Sequence, residues 1–264
     1  MRKYSFKLFS SNIQNNPNLV IQGLDFVRKN ADKMFVELMV VPQTPKEDID
    51  TFAELAKGVE VRIHAPHNVM GFDAGDKSKE KENCQILSSS QYAADVLQSK
   101  TIVVHAGCGH GIEYLKETAR QFKIFNDKRI VVENLPLYAS DDAPLHGTTA
   151  EEIKYIQEQS GCGFCLDFSH ATCSANALNK NIEKHLSDFF ALKPDVYHIC
   201  DGDIKSVEDK HLHFGEGNYP LAHYLNDFTG ENAYITMETG YGRPENIDKW
   251  VADFNYIINL ERGE

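Results

Sequence analysis

The sequence predicts a single (β/α)₈ barrel, a TIM barrel, spanning residues 1–264, and three observations carry that reading. The chain has 264 residues, close to the ~250 of a complete eightfold α/β barrel. Short runs rich in Val, Ile, Phe and Tyr alternate with longer amphipathic segments from end to end, as expected of buried parallel strands joined by helices. No Pro-, Gly- or Ser-rich spacer divides the chain, so it reads as one domain. An open doubly wound sheet shares the alternation. No GxGxxG follows the first strand, which weakens a dinucleotide-binding version of that fold.

The first strand is expected over Tyr4–Phe9 and its helix over Asn18–Asn30. Strand Met34–Val41 precedes helix Glu47–Lys57, Val59–His64 precedes Lys81–Gln98, and Thr101–His105 precedes Gly111–Phe125. Strand Arg129–Glu133 leads to helix Ala150–Gln159, where Thr149-Ala-Glu-Glu152 forms a capping box and Gly161 a stop. Gly163–Asp167 is followed by Asn176–Ala191, Val196–Ile199 by Pro220–Phe228, and Ala233–Glu238 by Pro244–Leu260. Pro244 suits an early helical position, with Glu245 in the first turn. Trp250, with Ile247, Val251 and Phe254, is expected to pack that helix on the barrel.

Hydrophobic residues make up 42% of the chain and charged ones 25%, enough apolar material for a core. The 27 basic and 39 acidic residues leave a formal charge of −12, which argues against a generic nucleic-acid binder. An acidic surface, or a site whose carboxylates need cations, gives such a charge. No run approaches the ~18 apolar residues that span a bilayer, and the first twenty residues lack the apolar core of a signal peptide. A soluble, cytoplasmic protein without membrane or obligate protein partners is expected. Six cysteines without regular spacing suit reduced thiols. The Cys162–Cys165 pair opens the apolar run CGFCLDF and reads as strand packing.

In such barrels catalytic residues sit where strands end and the following loops begin. Metal-ligand types recur there: His64 after the third strand, His105 after the fourth, Glu133 after the fifth, Asp167 and His170 after the sixth, His198 in the seventh, Glu238 after the eighth. A loop adds Asp209, His211, His213 and Glu216. Any one has a packing or surface explanation. Six successive strands sharing the feature do not, because converging buried carboxylates are costly unless cations compensate them. The mixture of imidazole and carboxylate suits Zn²⁺ or Mn²⁺ better than Ca²⁺ or Mg²⁺.

This ordered set resembles the xylose-isomerase-like barrel superfamily, and within it the endonuclease IV (AP endonuclease family 2) branch. The sharpest pieces are Asp167-x-x-His170, His198, and the Asp209-x-His211-x-His213-x-Gly-Glu-Gly217 run. The resemblance implies three zinc ions. His64, His105 and Glu133 would hold the first; Glu133, Asp167, His198 and Glu238 the second; His170, Asp209 and His211 the third. It implies a DNA-repair hydrolase, a phosphodiesterase acting on abasic DNA or a related phosphoester. Apart from the resemblance, His213 and Glu216 read as residues that orient ligands, as metal sites usually require, and His67, in the third loop, as a substrate contact or a surface histidine. The sequence departs from the branch in its first strand, Phe6-Lys7-Leu8-Phe9-Ser10-Ser11, and in Val40-Val41-Pro42-Gln43-Thr44-Pro45, where an Arg- and Trp-bearing DNA-contact loop is expected. His67 also stands where that branch has tyrosine.

The sugar isomerase and epimerase branch is similar at Glu133, Asp167, His198 and Glu238. That resemblance implies one Mn²⁺-type ion, a sugar or sugar-phosphate substrate, and Glu133 and Glu238 as the acid/base pair. A barrel using the metal only for structure is the non-enzymatic alternative. His110, His146, His185 and His223 read as surface or packing residues, and the polar loop Gly71–Lys79 as a lid or a solvated turn.

Overall fold

Eight parallel strands close on themselves in sequence order, β1 through β8, with helices between them. The computed structural model describes residues 1–138, 144–240 and 244–262. The strands are β1 (Lys3–Phe9), β2 (Val36–Met39), β3 (Val61–His64), β4 (Ile102–His105), β5 (Ile130–Glu133), β6 (Gly163–Asp167), β7 (Val196–Ile199) and β8 (Tyr234–Met237). Around them lie α1 (Asn12–Asn15), α2 (Pro17–Lys29), α3 (Lys46–Leu55), α4 (Glu80–Val96), α5 (Ile112–Phe125), α6 (Ala150–Ser160), α7 (Phe168–Ala177), α8 (Ile182–Phe190), α9 (Leu221–Phe228) and α10 (Asp248–Arg262).

The two-residue period of a strand sorts its side chains between barrel interior and helical layer. In the aliphatic runs of β4, β5 and β6, Ile102, Val104, Ile130, Val132, Phe164 and Leu166 join the large core shared with the helices. The alternate residues Val103, Val131 and Cys165 meet Val196 in a separate cluster. One step further along the same face stand His105, Glu133, Asp167 and His198. The period that fills the barrel thus also aims the polar residues into its mouth. Register aligns them, pairing His105 with Glu133, Asp167 with His198, and Lys7 with Glu37.

Several local readings are met at the predicted atoms. The Thr149 side chain accepts from the Glu152 amide, and Gly161 ends α6 in the left-handed conformation at φ 78°. The Glu152 carboxylate reaches back to the Thr148 amide at 2.8 Å, one residue earlier than a capping box requires. Trp250 stacks on Phe6 with centroids 4.6 Å apart. Cys84, Cys162, Cys165, Cys173 and Cys200 form no disulfide, and burial pushes the Cys165 thiol up to about 12, the behaviour of an inert packed thiol.

Three readings are corrected. Pro244 and Glu245 precede α10, which begins at Asp248. The Asn246 side chain accepts from the Asp248 amide at 3.0 Å, and this local turn competes with the helix. The segment read as one helix over Asn176–Ala191 is the end of α7, a turn with Asn179 at φ 54°, and α8. Residues 168–175 of α7 are all buried, so they lack the polar stripe by which a helix is recognised. The loop 71–79 is neither a lid nor a solvated turn over its first half. Phe72, Asp73 and Ala74 are buried, and the Asp73 carboxylate accepts from the Gly75 amide at 3.0 Å and the Cys108 amide at 2.8 Å. Among the described residues no helix is long and apolar enough to cross a membrane.

Candidate metal centre

Nine side chains singled out in the sequence meet at the C-terminal mouth of the barrel. His64, His105 and Glu133 form one group of donor atoms; His170, Asp209 and His211 form another. In each group the atoms lie within 4.8 Å of one another. Between the two, Glu133 and Asp167 converge with His170, while His198 and Glu238 converge with His64 and Glu37. The four residues that would share a middle ion are therefore divided between two groups.

The ring orientations are those of metal-binding histidines. His64 turns Nδ1 to the Ala65 carbonyl (2.7 Å), His170 to that of Asn134 (2.9 Å), and His211 to that of Glu238 (2.8 Å). With Nδ1 engaged by a carbonyl, Nε2 is the nitrogen left to meet a cation. Each Nε2 faces a carboxylate: His64 and His105 lie 3.2 Å from Glu133, and His170 and His211 lie 3.3 and 2.9 Å from Asp209. His198 is oriented the other way. Its Nε2 lies 3.0 Å from Glu37, and its Nδ1 lies 3.2 Å from Glu133 and 2.7 Å from Glu238.

Local structure fixes the carboxylates. Asp167 caps α7, accepting from the His170 amide at 2.7 Å. Asp209 accepts from Ser169 Oγ at 2.7 Å and from the His211 amide at 3.1 Å. His211 adopts a left-handed φ of 43°, uncommon for a non-glycine residue. Asp201, two residues after β7, anchors this loop. Its buried carboxylate accepts from the Gly202, Gly215, Gly217 and Tyr219 amides at 2.8–3.1 Å.

Burial works against ionising Glu133, yet His198 and His105 hold it well below the usual carboxylate range. Asp167 moves the opposite way. Burial, then the charges of Asp209, Glu133 and Glu238, push it up to about 7 against the pull of His170. Its Oδ2 is buried without a hydrogen-bond partner, which marks a place that needs a cation. The histidine–carboxylate groups thus fit divalent ions by donor type, ring orientation and uncompensated charge.

His67 stacks on His105 with centroids 5.0 Å apart and faces the mouth. Burial, then His105, His64 and Lys7, lower its pKa well below the ordinary value, so it is a neutral ring. His213 and Glu216 do not join the cluster. His213 Nδ1 lies 2.7 Å from Asp253, on α10, and Glu216 faces Lys249 at 3.6 Å. Lys7 and Glu37 are not among the residues that the sequence singles out, yet both belong to the site. Lys7 ion-pairs with Glu238 and, at 3.4 Å, with Glu37. Glu37 interrupts an otherwise apolar strand, the same signal that marks Glu133, whereas Lys7 shares β1 with Lys3 and Ser5. The cavity above the cluster is about 460 Å³, and Phe9, Met39, Val69, Met70, Met237 and Trp250 give it an apolar wall.

A family model described as xylose isomerase-like TIM barrel matches residues 22–260. Among solved structures, a D-tagatose 3-epimerase-like protein is 19% identical, with a TM-score of 0.71 over 98% of this chain and 97% of that one. Endonuclease IV of Thermus thermophilus is 16% identical, with a TM-score of 0.68 over 99% of this chain and 100% of that one. A Thermus thermophilus protein soaked with zinc chloride is also 16% identical, with a TM-score of 0.68 over 99% of each chain. At these identities the likeness is one of fold. No curated protein sequence matches the chain.

Proposed function

The chain belongs to the xylose isomerase-like TIM barrel family, and we propose that it is a divalent-metal phosphoester hydrolase of the endonuclease IV kind. The observation that carries this reading is the pair of complete histidine–carboxylate triads, His64–His105–Glu133 and His170–Asp209–His211. A site for one ion needs fewer donors than these two triads together provide. Zinc is the expected ion, because four imidazoles turn Nε2 to shared carboxylates.

Bound cations would supply Lewis acidity toward a phosphoester and lower the pKa of water at the site. The residues of the chain do the rest. Glu133 and Asp209 each link two histidines, and the Ala65, Asn134 and Glu238 carbonyls hold three of the rings in the binding tautomer. Neutral His67, stacked beside His105, is placed to hydrogen-bond substrate at the mouth. The apolar wall excludes water behind the substrate. A cavity of about 460 Å³ in a chain of charge −12 favours a compact phosphodiester over extended contact with duplex DNA. Abasic DNA is then a substrate to be compared, not assumed.

The second reading, a sugar isomerase, is favoured by one feature. Glu133 and Glu238 both lie against His198 Nδ1, as a pair serving one ion would. The readings separate on Asp209→Ala. For the hydrolase, the variant loses about one zinc per chain by plasma mass spectrometry. Its turnover of bis(4-nitrophenyl) phosphate falls at least ~100-fold. Full metal content with epimerisation of a ketohexose retained would overturn the hydrolase.

A further inference from the structure

The chain carries a cation of its own inside the cluster. Lys7 comes from β1, paired in register with Glu37 of β2, and both point into the barrel. Its ammonium bonds Glu238 Oε1 and lies 3.4 Å from Glu37 Oε1. The same Glu238 oxygen faces His198 Nδ1 at 2.7 Å. That nitrogen is the one free for a middle ion, since Nε2 is committed to Glu37 at 3.0 Å. Glu37 is fixed in turn by Thr236, whose hydroxyl donates to it at 2.9 Å and accepts from Ser5 at 3.0 Å. Asp167, the remaining donor for a middle ion, belongs instead to the group of Glu133 and His170.

We propose that the Lys7 ammonium is the resident third positive charge of this site, so that the chain binds two divalent ions tightly, one at each outer triad, and a third only weakly. This rests on the metal-dependent reading above and concerns how many ions the site takes. Two physical effects act together. An ammonium and a divalent ion cannot share one carboxylate oxygen without strong repulsion in a buried site. To serve a metal at His198 Nδ1 through Oε1, the oxygen that faces this nitrogen, Glu238 must also give up its bond to Lys7.

The test is zinc binding to chelator-stripped full-length protein, with Zn²⁺ alone as the probe and no turnover required. Wild type is expected to retain two zinc ions per chain after gel filtration. A third should enter at least ~10-fold more weakly in competition with a chromophoric chelator. Lys7→Met should retain three, and Lys7→Arg, which keeps the charge, two. Three tight ions in wild type, or two in a folded Lys7→Met, overturn the proposal. If Lys7→Met does not fold, the wild-type titration decides alone: a third ion binding as tightly as the first two refutes it. Retention of one ion or none by wild type would instead overturn the multi-ion hydrolase.

Discussion

Asp167→Asn should stabilise the protein when no metal is bound and weaken the stabilisation that metal brings. Asp167 is buried in the cluster, its Oδ2 has no hydrogen-bond partner, and its pKa is pushed from 3.8 up to about 7. The shift is upward for an acid, so the unfolded chain ionises this group first. Folded stability therefore falls as pH rises from about 3.8, and the full penalty stands above about 7. A rise of that size corresponds to on the order of 4 kcal/mol, at about 1.4 kcal/mol for each tenfold change in acidity. Asparagine removes the charge and keeps an oxygen for the His170 amide, the helix cap now made at 2.7 Å, where Asn and Asp serve about equally. In a chain of this size such a gain raises the melting temperature by roughly 10 °C. The assay is calorimetry of chelator-treated wild type and variant at pH 8, repeated toward pH 4, where the difference should vanish. With zinc added, the order should change, because the wild-type carboxylate then attracts the cations beside it. A chelated variant that melts at or below wild type at pH 8, or an unchanged zinc increment, refutes this account of the cluster.

Two further outcomes test the loop that carries part of the site and a buried histidine beside α7. Asp201→Ala removes the acceptor of four loop amides, at about 1–3 kcal/mol for each one left unsatisfied before relaxation. It should lower urea stability and zinc content by about one ion, through the Asp209–His211 loop; unchanged zinc content would separate that loop from the triad. His185 is buried on Ser174 and Thr148, and burial, then Lys180, lower its pKa to about 4. For a base shifted downward, stability is complete above about 6.5 and is lost as pH falls toward about 4, roughly 3 kcal/mol in all. His185→Gln should flatten that part of the stability curve in urea titrations; an unchanged slope would refute the assignment.

Much of this molecule was legible in the sequence because two short-range rules act in the same direction. Strands buried on both faces must be nearly continuous in apolar residues, so β4, β5 and β6 announce themselves, and His105, Glu133 and Asp167 stand out as interruptions at their ends. Capping is equally local, and Thr149 and Gly161 bound α6 where expected. Lys7 and Glu37 were missed, although Glu37 carries the same kind of interruption. Each lies inside a strand, where a lone charge reads as an exposed residue until its partner is known. Helix α7 was missed for the opposite reason, since burial on every side erases the amphipathic pattern.

By itself, then, the sequence determined the order of the eight strands, the identity of nine candidate donor residues and the end of the barrel at which they gather. Those follow from side-chain periodicity and from polar groups placed at strand ends. Only the tertiary structure decided how the donors are grouped. Closing the barrel brings β1 beside both β2 and β8, so that one ammonium, Lys7, is set against two carboxylates, Glu37 and Glu238, the latter 231 positions away in the chain. Charge compensation in a buried site depends on distances of a few ångströms, and such distances between remote residues are set by sheet closure and register.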